Sequence, residues 1–252
     1  MNLGFLGSGR ITLSIINGIL NSKIQVKKIF ISYRNNDISK KLSNKFKKVE
    51  VLKDNQEIIN KSNLLFLAVT PKVGKKILPK LKFQSNQKII SLISTIKIDT
   101  IKKYTKNKKI TRVIPLPFIN MRKGPIIIFP KDSQIKKFFS NLGTVIEVNK
   151  ENLSKGFWST SSFMASFYNL LNTTSNWLTS KGVKKNEAEK YTKELFLALS
   201  EDAINKNKTS LKQLVVESQT PGGTNAYVLK ELQKKKFYKL QIKVLNSIFK
   251  KF

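Results

Sequence analysis

The chain has 252 residues, 40% of them hydrophobic, with 48 lysines and arginines against 15 acidic residues, no cysteine and no histidine. That length allows one or two domains with a real core; the missing cysteines exclude disulfides, and with no histidine the commonest general base and metal ligand is gone, so no metal site is expected. The formal net charge of +33 would ordinarily point to a polyanion, but the lysines run through the whole chain among asparagines and isoleucines, all residues of A/T-rich codons, so no specific nucleic-acid partner is expected, only salt-dependent adhesion.

The first stretch reads as a strand (3–6), a glycine turn and a helix. Gly7-Ser8-Gly9 follows the strand directly, and Ile11, Ile15, Ile16, Ile19 and Leu20 then recur with the spacing of one helical face. Gly7 permits the tight turn and Gly9 lets backbone N–H groups approach a pyrophosphate at the positive helix end. Thr12 stands where the third glycine of a dinucleotide-binding turn would be. The expected cofactor residues here are Gly7, Ser8, Gly9, Arg10 and Ile11.

Residues 26–32 read as strand two. Its end, Ser32-Tyr33-Arg34-Asn35-Asn36, carries no acid before Asp37. A carboxylate there would take a ribose 2′-OH, whereas a cation accepts a 2′-phosphate, so Arg34 and Asn35 point to NADPH over NADH. A helix over 38–46, a strand over 49–52 and a short helix over 57–62 lead into the apolar run 64–69, a strand buried on both faces. Its carboxyl end, Ala68-Val69-Thr70-Pro71, should line the cofactor. A helix over 73–81, a strand over 88–93, a helix over 98–104 and a strand over 109–114 follow. Pro115 stops that strand. Residues 126–129 are expected to be the last strand, with a helix over 134–142 after it. The alternation predicts a mostly parallel, doubly wound α/β domain over residues 1–150.

From residue 151 on the pattern is helical: 157–178, 185–205 and 227–249 carry helical spacing, and only 213–217 alternates like a strand. Gly222-Gly223 makes a turn that opens the last helix. A helical domain of residues 151–252 with apolar residues on several faces is expected to pack against a second copy. Trp158 and Trp177 are expected to be buried anchors of that domain. A plan of this kind suits a reductase whose substrate sits between the domains. No apolar stretch reaches the about 20 residues needed to span a bilayer, and the chain begins directly in strand one, so no membrane insertion and a cytoplasmic location are expected.

The chain resembles the pyrroline-5-carboxylate reductase family over essentially its full length. The resemblance rests on Gly4-Phe-Leu-Gly7-Ser-Gly9, Phe66-Leu-Ala68-Val69-Thr-Pro71, Arg112-Val-Ile-Pro115 with Gly124 and Pro130, and above all Thr220-Pro221-Gly222-Gly223-Thr224. It implies an N-terminal Rossmann-like domain, a C-terminal all-α dimerisation domain, a homodimer or an oligomer of dimers, and hydride transfer from NAD(P)H to the C=N carbon of a cyclic imine acid to give proline. That chemistry needs no histidine, because a protonated iminium is already an electrophile. The resemblance makes Pro115 a cofactor residue, assigns Leu116, Met164, Pro221, Gly222 and Gly223 to the substrate, and gives Thr220, Thr224 and Asn225 catalytic roles.

Several positions depart from the family pattern. Pro115-Leu116-Pro117-Phe118 replaces Pro-Asn-Thr-Pro, Thr70 replaces a lysine, Ser161-Ser-Phe-Met164-Ala165 replaces the segment opening the long helix, and Asn225 replaces a hydroxyl assigned to the imine nitrogen. Phe118 and Met164 would make the pocket more apolar. The reading is therefore an NADPH-dependent reductase of an imine or related carbonyl compound bearing a carboxylate, with altered substrate-site residues. The competing reading is a non-catalytic NAD(P)-binding regulatory or partner protein. Tyr33, Lys72, Tyr168 and Tyr227 are candidate proton donors among which the sequence does not choose.

Overall fold

The computed structural model describes residues 1–34 and 36–251. They form two compact units, Met1–Trp158 and Ser159–Phe252, where the sequence reading places the boundary at 150.

In the first unit, strands β1 (Asn2–Leu6), β2 (Lys28–Ser32), β3 (Val49–Leu52), β4 (Leu64–Leu67), β5 (Lys88–Ser91), β6 (Ile110–Ile114), β7 (Pro125–Phe129) and β8 (Thr144–Glu147) alternate with helices. These are α1 (Arg10–Leu20), α2 (Asn36–Lys45), α3 (Asn55–Lys61), α4 (Pro71–Ile77), α5 (Ile98–Thr105) and α6 (Ser133–Phe139). The sheet order is β3-β2-β1-β4-β5-β6-β7-β8. Every pairing is parallel except β6 with β7. The β1–β4 neighbourhood is where the chain reverses direction across the sheet, the switch point of a doubly wound fold.

Residues of opposite parity along each strand feed two cores. Leu3, Phe5 and Phe66 meet Ile15, Ile16 and Ile19 of α1 and Phe138 and Phe139 of α6 on one face. Leu6, Leu65 and Leu67 meet Ile58, Ile59, Leu78 and Ile101 on the other. All four residues of β4 are buried, as a strand covered on both faces requires. Phe5 and Phe66 stack at 4.3 Å in the middle of the first core.

The sheet does not end at residues 126–129: β8 extends it by an edge strand, too short and too alternately exposed to read as a strand from sequence. The 3-10 turn Glu151–Leu153 and helix α7 (Ser154–Ser161) follow. Phe157 and Trp158 pack against Ile114, Ile127 and Val148, which is why the first unit runs to Trp158. Trp158 thus anchors the sheet unit.

Asp132 shows how a local cap and a distant cation share one carboxylate. It accepts from the N–H groups of Gln134 and Ile135 at the start of α6 and pairs with Lys88 of β5 at 3.0 Å. Partial burial works to raise its pKa, but the Ile135 amide, Lys88 and the Gln134 amide outweigh it and hold the carboxyl below its usual range. A depressed carboxyl pKa contributes stability above the unfolded value of about 4 and loses it as pH falls through the folded value. Asp132→Ala is therefore expected to cost about 1 kcal/mol at pH 7, with the gap to the parent protein narrowing in urea denaturation at pH 3.

The second unit is helical: α8 (Met164–Ser180), α9 (Lys185–Asn205), α10 (Leu211–Glu217), α11 (Thr224–Lys234) and α12 (Phe237–Phe249). Three expected elements are corrected. The predicted helix 157–178 is two helices, because the hydroxyl-rich stretch 159–162 tightens into i→i+3 bonds, Ser162 N–H to Ser159 and Phe163 N–H to Thr160. The predicted strand 213–217 is α10, capped by the Ser210 hydroxyl on the Gln213 amide; Leu211, Leu214 and Val215 set its helical period. The predicted helix 227–249 breaks at Lys236, which is left-handed with φ of 59°. Trp177 is 59% exposed beneath the Lys181 ammonium, so it is no buried anchor within the chain. Tyr168 and Tyr227 are exposed as well. Among the described residues no helix is long and apolar enough to cross a membrane.

Candidate active site

At the carboxyl ends of β1 and β4 lies a cleft of about 490 Å³, lined among the described residues by Gly7, Ser8, Gly9, Arg34, Ala68, Val69, Thr70 and Val73. Seven of those eight are expected cofactor residues; Val73 is an addition. Each arrives for a separate structural reason. Gly7 ends β1 with φ of +116°, and a Cβ placed on it would lie 2.3 Å from the Ala68 carbonyl oxygen. Only glycine fits that turn against the end of β4. Gly9 is the N-cap of α1, and a Cβ there would meet nothing within 4 Å, so its open side is free for a ligand's close approach.

The residues fit a pyrophosphate. The first turn of α1 has no acidic residue and carries Arg10, a charge pattern that opposes the helix dipole unless an anion sits there. Arg34, exposed at the end of β2, is the one charged residue among the described lining residues. At the third-glycine position Thr12 is fully buried and donates from its hydroxyl to the Gly7 carbonyl at 2.9 Å.

Other expected cofactor residues lie elsewhere. Ile11 packs against the core on the α1 face of the sheet, Arg10 is exposed on the first residue of α1, and Pro71 opens α4 behind the Thr70 N-cap. Pro115 and Leu116 are half-buried beyond the end of β6, where Leu116 caps the 3-10 turn Pro117–Met121. That turn is fixed on α1 by Gly18, since a Cβ there would come within 2.3 Å of the Ile119 carbonyl oxygen. Phe118 lies against Gly124. Asn35 lies outside the described residues.

In the helical unit, the expected substrate and catalytic residues form one turn. Gly223 N–H bonds the Thr220 carbonyl at 2.9 Å, with Pro221 second and Gly222 third at φ of +72°, the signature of a type II turn. Gly223 is the N-cap of α11, and a Cβ on it would strike the Thr220 hydroxyl. Thr220, Pro221, Gly222, Thr224 and Asn225 are exposed. Asn225 donates its side-chain amide to the Ser218 carbonyl at 3.0 Å, which leaves its Oδ1 as an acceptor. Met164 is the half-buried first residue of α8. No group of three or more acidic side chains that could hold a metal occurs among the described residues.

Residues 2–96 match the family described as NADP oxidoreductase, coenzyme F420-dependent, and residues 152–252 match the family described as pyrroline-5-carboxylate reductase dimerisation. Across both halves the chain is similar to the pyrroline-5-carboxylate reductase family. A pyrroline-5-carboxylate reductase of Staphylococcus haemolyticus is 25% identical over 239 residues, covering 89% of this chain and 86% of that protein. The crystal structure of the Plasmodium falciparum pyrroline carboxylate reductase with NADP bound superposes with a TM-score of 0.83 at 20% identity, covering 100% of this chain and 96% of that one. That of the Coxiella burnetii pyrroline-5-carboxylate reductase gives 0.84 at 22% identity, with 99% and 96% covered. The chain therefore carries an N-terminal Rossmann-like domain and a C-terminal dimerisation domain, in the NAD(P)-dependent reductase pattern of the family. Leu170, Trp177, Leu195, Leu199, Leu240 and Ile242 of the helical unit are exposed apolar residues.

Proposed function

We propose that this protein is an NADPH-dependent reductase of a C=N bond whose substrate site has diverged from that of its relatives. The observation that carries the cofactor part is the cleft that unites the Gly7-Ser8-Gly9 turn, the open start of α1 and Arg34, with no carboxylate at the ribose position. Ser8 and Gly9 present backbone amides to the pyrophosphate, and Arg34 takes the 2′-phosphate. Ala68 to Thr70 form the opposite wall, with Pro71 behind them and Pro115 on the nicotinamide side. When bound, the nicotinamide supplies a hydride to the imine carbon.

The chain's own residues do the rest by position. A carboxylate of the substrate, an imine or related carbonyl compound, is held at the Pro221-Gly222-Gly223 turn. Because the Gly223 amide closes that turn, the first amides of α11 take the anion. Thr220 and Thr224 offer hydroxyls, and the Asn225 Oδ1 accepts the N–H of a protonated iminium, the tautomer-independent counterpart of a hydroxyl in that place. Leu116 and Phe118 on the sheet unit and Met164 on the helical unit are apolar at substrate positions, so a bulkier or less polar imine is favoured over pyrroline-5-carboxylate.

The test is a calorimetric titration with NADPH and NADH at physiological salt, which suppresses charge adhesion. NADPH is expected to bind at least tenfold more tightly, and Arg34→Glu is expected to erase that preference with little change for NADH. Equal affinities unaffected by Arg34→Glu would overturn the cofactor choice. Turnover over a panel of cyclic imines and ketones, with and without a carboxylate, then tests the reaction. Tight NADPH binding without turnover of any of them would favour a non-catalytic NAD(P)-binding partner protein, the role that the apolar Leu116 and the tethered Asn225 amide would suit.

A further inference from the structure

We propose that Thr12 and Ser32 act as a two-sided clamp on the Gly7 peptide groups, making them positioning residues for the pyrophosphate turn; the inference rests on the NADPH reading of the cleft. Gly7 has no side chain to fix its backbone, since glycine reaches positive φ at no steric cost and is otherwise free to rotate. Both of its polar groups are nevertheless taken. Its N–H donates to the Ser32 hydroxyl at 3.1 Å, and its carbonyl accepts from the Thr12 hydroxyl at 2.9 Å. Thr12 is fully buried and Ser32 6% exposed.

The direction of the Ser32 bond is set by its other neighbours. Its oxygen lies 2.9 Å from Asn55 Oδ1 and 3.2 Å from the Phe5 carbonyl, both acceptors. The Ser32 proton must point to one of them, which leaves a lone pair for the Gly7 amide. The clamp therefore ties β1 to β2 and to α1, and through Asn55 to α3, at the residue from which Ser8 and Gly9 are hung.

A glycine at position 12 would allow closer helix–strand packing but would leave the Gly7 carbonyl unpaired in a buried place, at a cost of the order of one hydrogen bond. Thr12 exchanges that close approach for a bond. A turn held in this way before the nucleotide arrives loses little conformational freedom on binding.

The experiment titrates the full chain calorimetrically with NADPH and, separately, with adenosine 2′-monophosphate, which engages Arg34 without reaching the turn. Thr12→Val keeps the shape and removes the hydroxyl; it is expected to weaken NADPH about tenfold and to leave the monophosphate within twofold. Thr12→Ser restores the hydroxyl and is expected to recover most of the NADPH affinity. Should Thr12→Val fail to fold, Ser32→Ala carries the same expectations from the other side of the clamp. Unchanged NADPH affinity in the folded variants, or equal weakening of both ligands, overturns the clamp while the cofactor site stands. Absence of NADPH binding to the parent protein overturns the cofactor reading itself, and the clamp with it.

Discussion

Gly7→Ala is expected to abolish saturable NADPH binding and to lower the melting temperature, whereas Gly9→Ala is expected to abolish binding alone. At Gly7 two penalties coincide. The φ of +116° lies where an L side chain is strained, and the added methyl would sit 2.3 Å from the Ala68 carbonyl oxygen. That oxygen is backbone at the end of β4, on the residue whose amide bonds the Leu6 carbonyl. Either the turn or the end of β4 must move, at roughly 1–3 kcal/mol for the overlap and a similar amount for the strain. Because the same two segments form facing walls of the cleft, the displacement falls on the ligand site. An affinity loss of at least a hundredfold is expected, with a melting point several degrees lower. Gly9 is the contrast: its φ is −83° and its methyl would meet no atom of the protein. That variant should fold as the parent does, and its methyl stands in the space that a pyrophosphate needs. Unimpaired binding by Gly9→Ala would show that no phosphate lies over the start of α1.

Much of this was legible in the chain because it follows from period and punctuation. A glycine turn between an apolar strand and an amphipathic helix, followed by regular alternation, leaves few arrangements other than a doubly wound sheet, and β3 falls on the expected residues 49–52. Gly7, Gly9, Arg34 and Ala68 to Thr70 come from three separate stretches, yet the rule that ligands gather at the carboxyl ends of strands beside the switch point brought them into one list. What escaped reading had no period of its own. The edge strand β8 has only four residues, two of them exposed. The break at Lys236 is a left-handed lysine within a lysine run, with no glycine to mark it. Val73 faces the cleft by helix geometry that no motif records, and the bonding partners of Thr12 depend on contacts with distant segments. Trp177 misled because aromatic residues are commonly core, whereas here it lies exposed on a domain that matches a dimerisation family.

A second large stability effect is expected in the segment that ties residue 151 back to the sheet, where Arg112→Met should cost about 3 kcal/mol. Arg112 is 3% exposed on β6. Its guanidinium pairs with Glu151 at 2.5 Å, donates to the Ile96 carbonyl and lies 5.6 Å from the Trp158 ring. Glu151 also accepts the amide of Ile98, the first residue of α5, at 2.9 Å. One ion pair therefore joins β6, the start of α5 and the segment leading to the helical unit. Burial pushes the Arg112 pKa down, opposed by Glu151, so the cation depends on its partner. The pair is unequal: the Glu151 side chain is 25% exposed against 4% for Arg112. A carboxylate left alone there regains water, whereas a guanidinium left alone stays buried. Glu151→Ala is accordingly expected to cost more than Arg112→Met, and the double variant Arg112→Met/Glu151→Leu less than the sum of the two single losses, because it leaves no uncompensated charge. For a unit of this size 3 kcal/mol corresponds to a fall in melting temperature of roughly 6–12 °C, readable by calorimetry. Strictly additive losses would mean that the two side chains stabilise the sheet independently, and that the coupling of β6 to α5 runs through the Ile96 carbonyl instead.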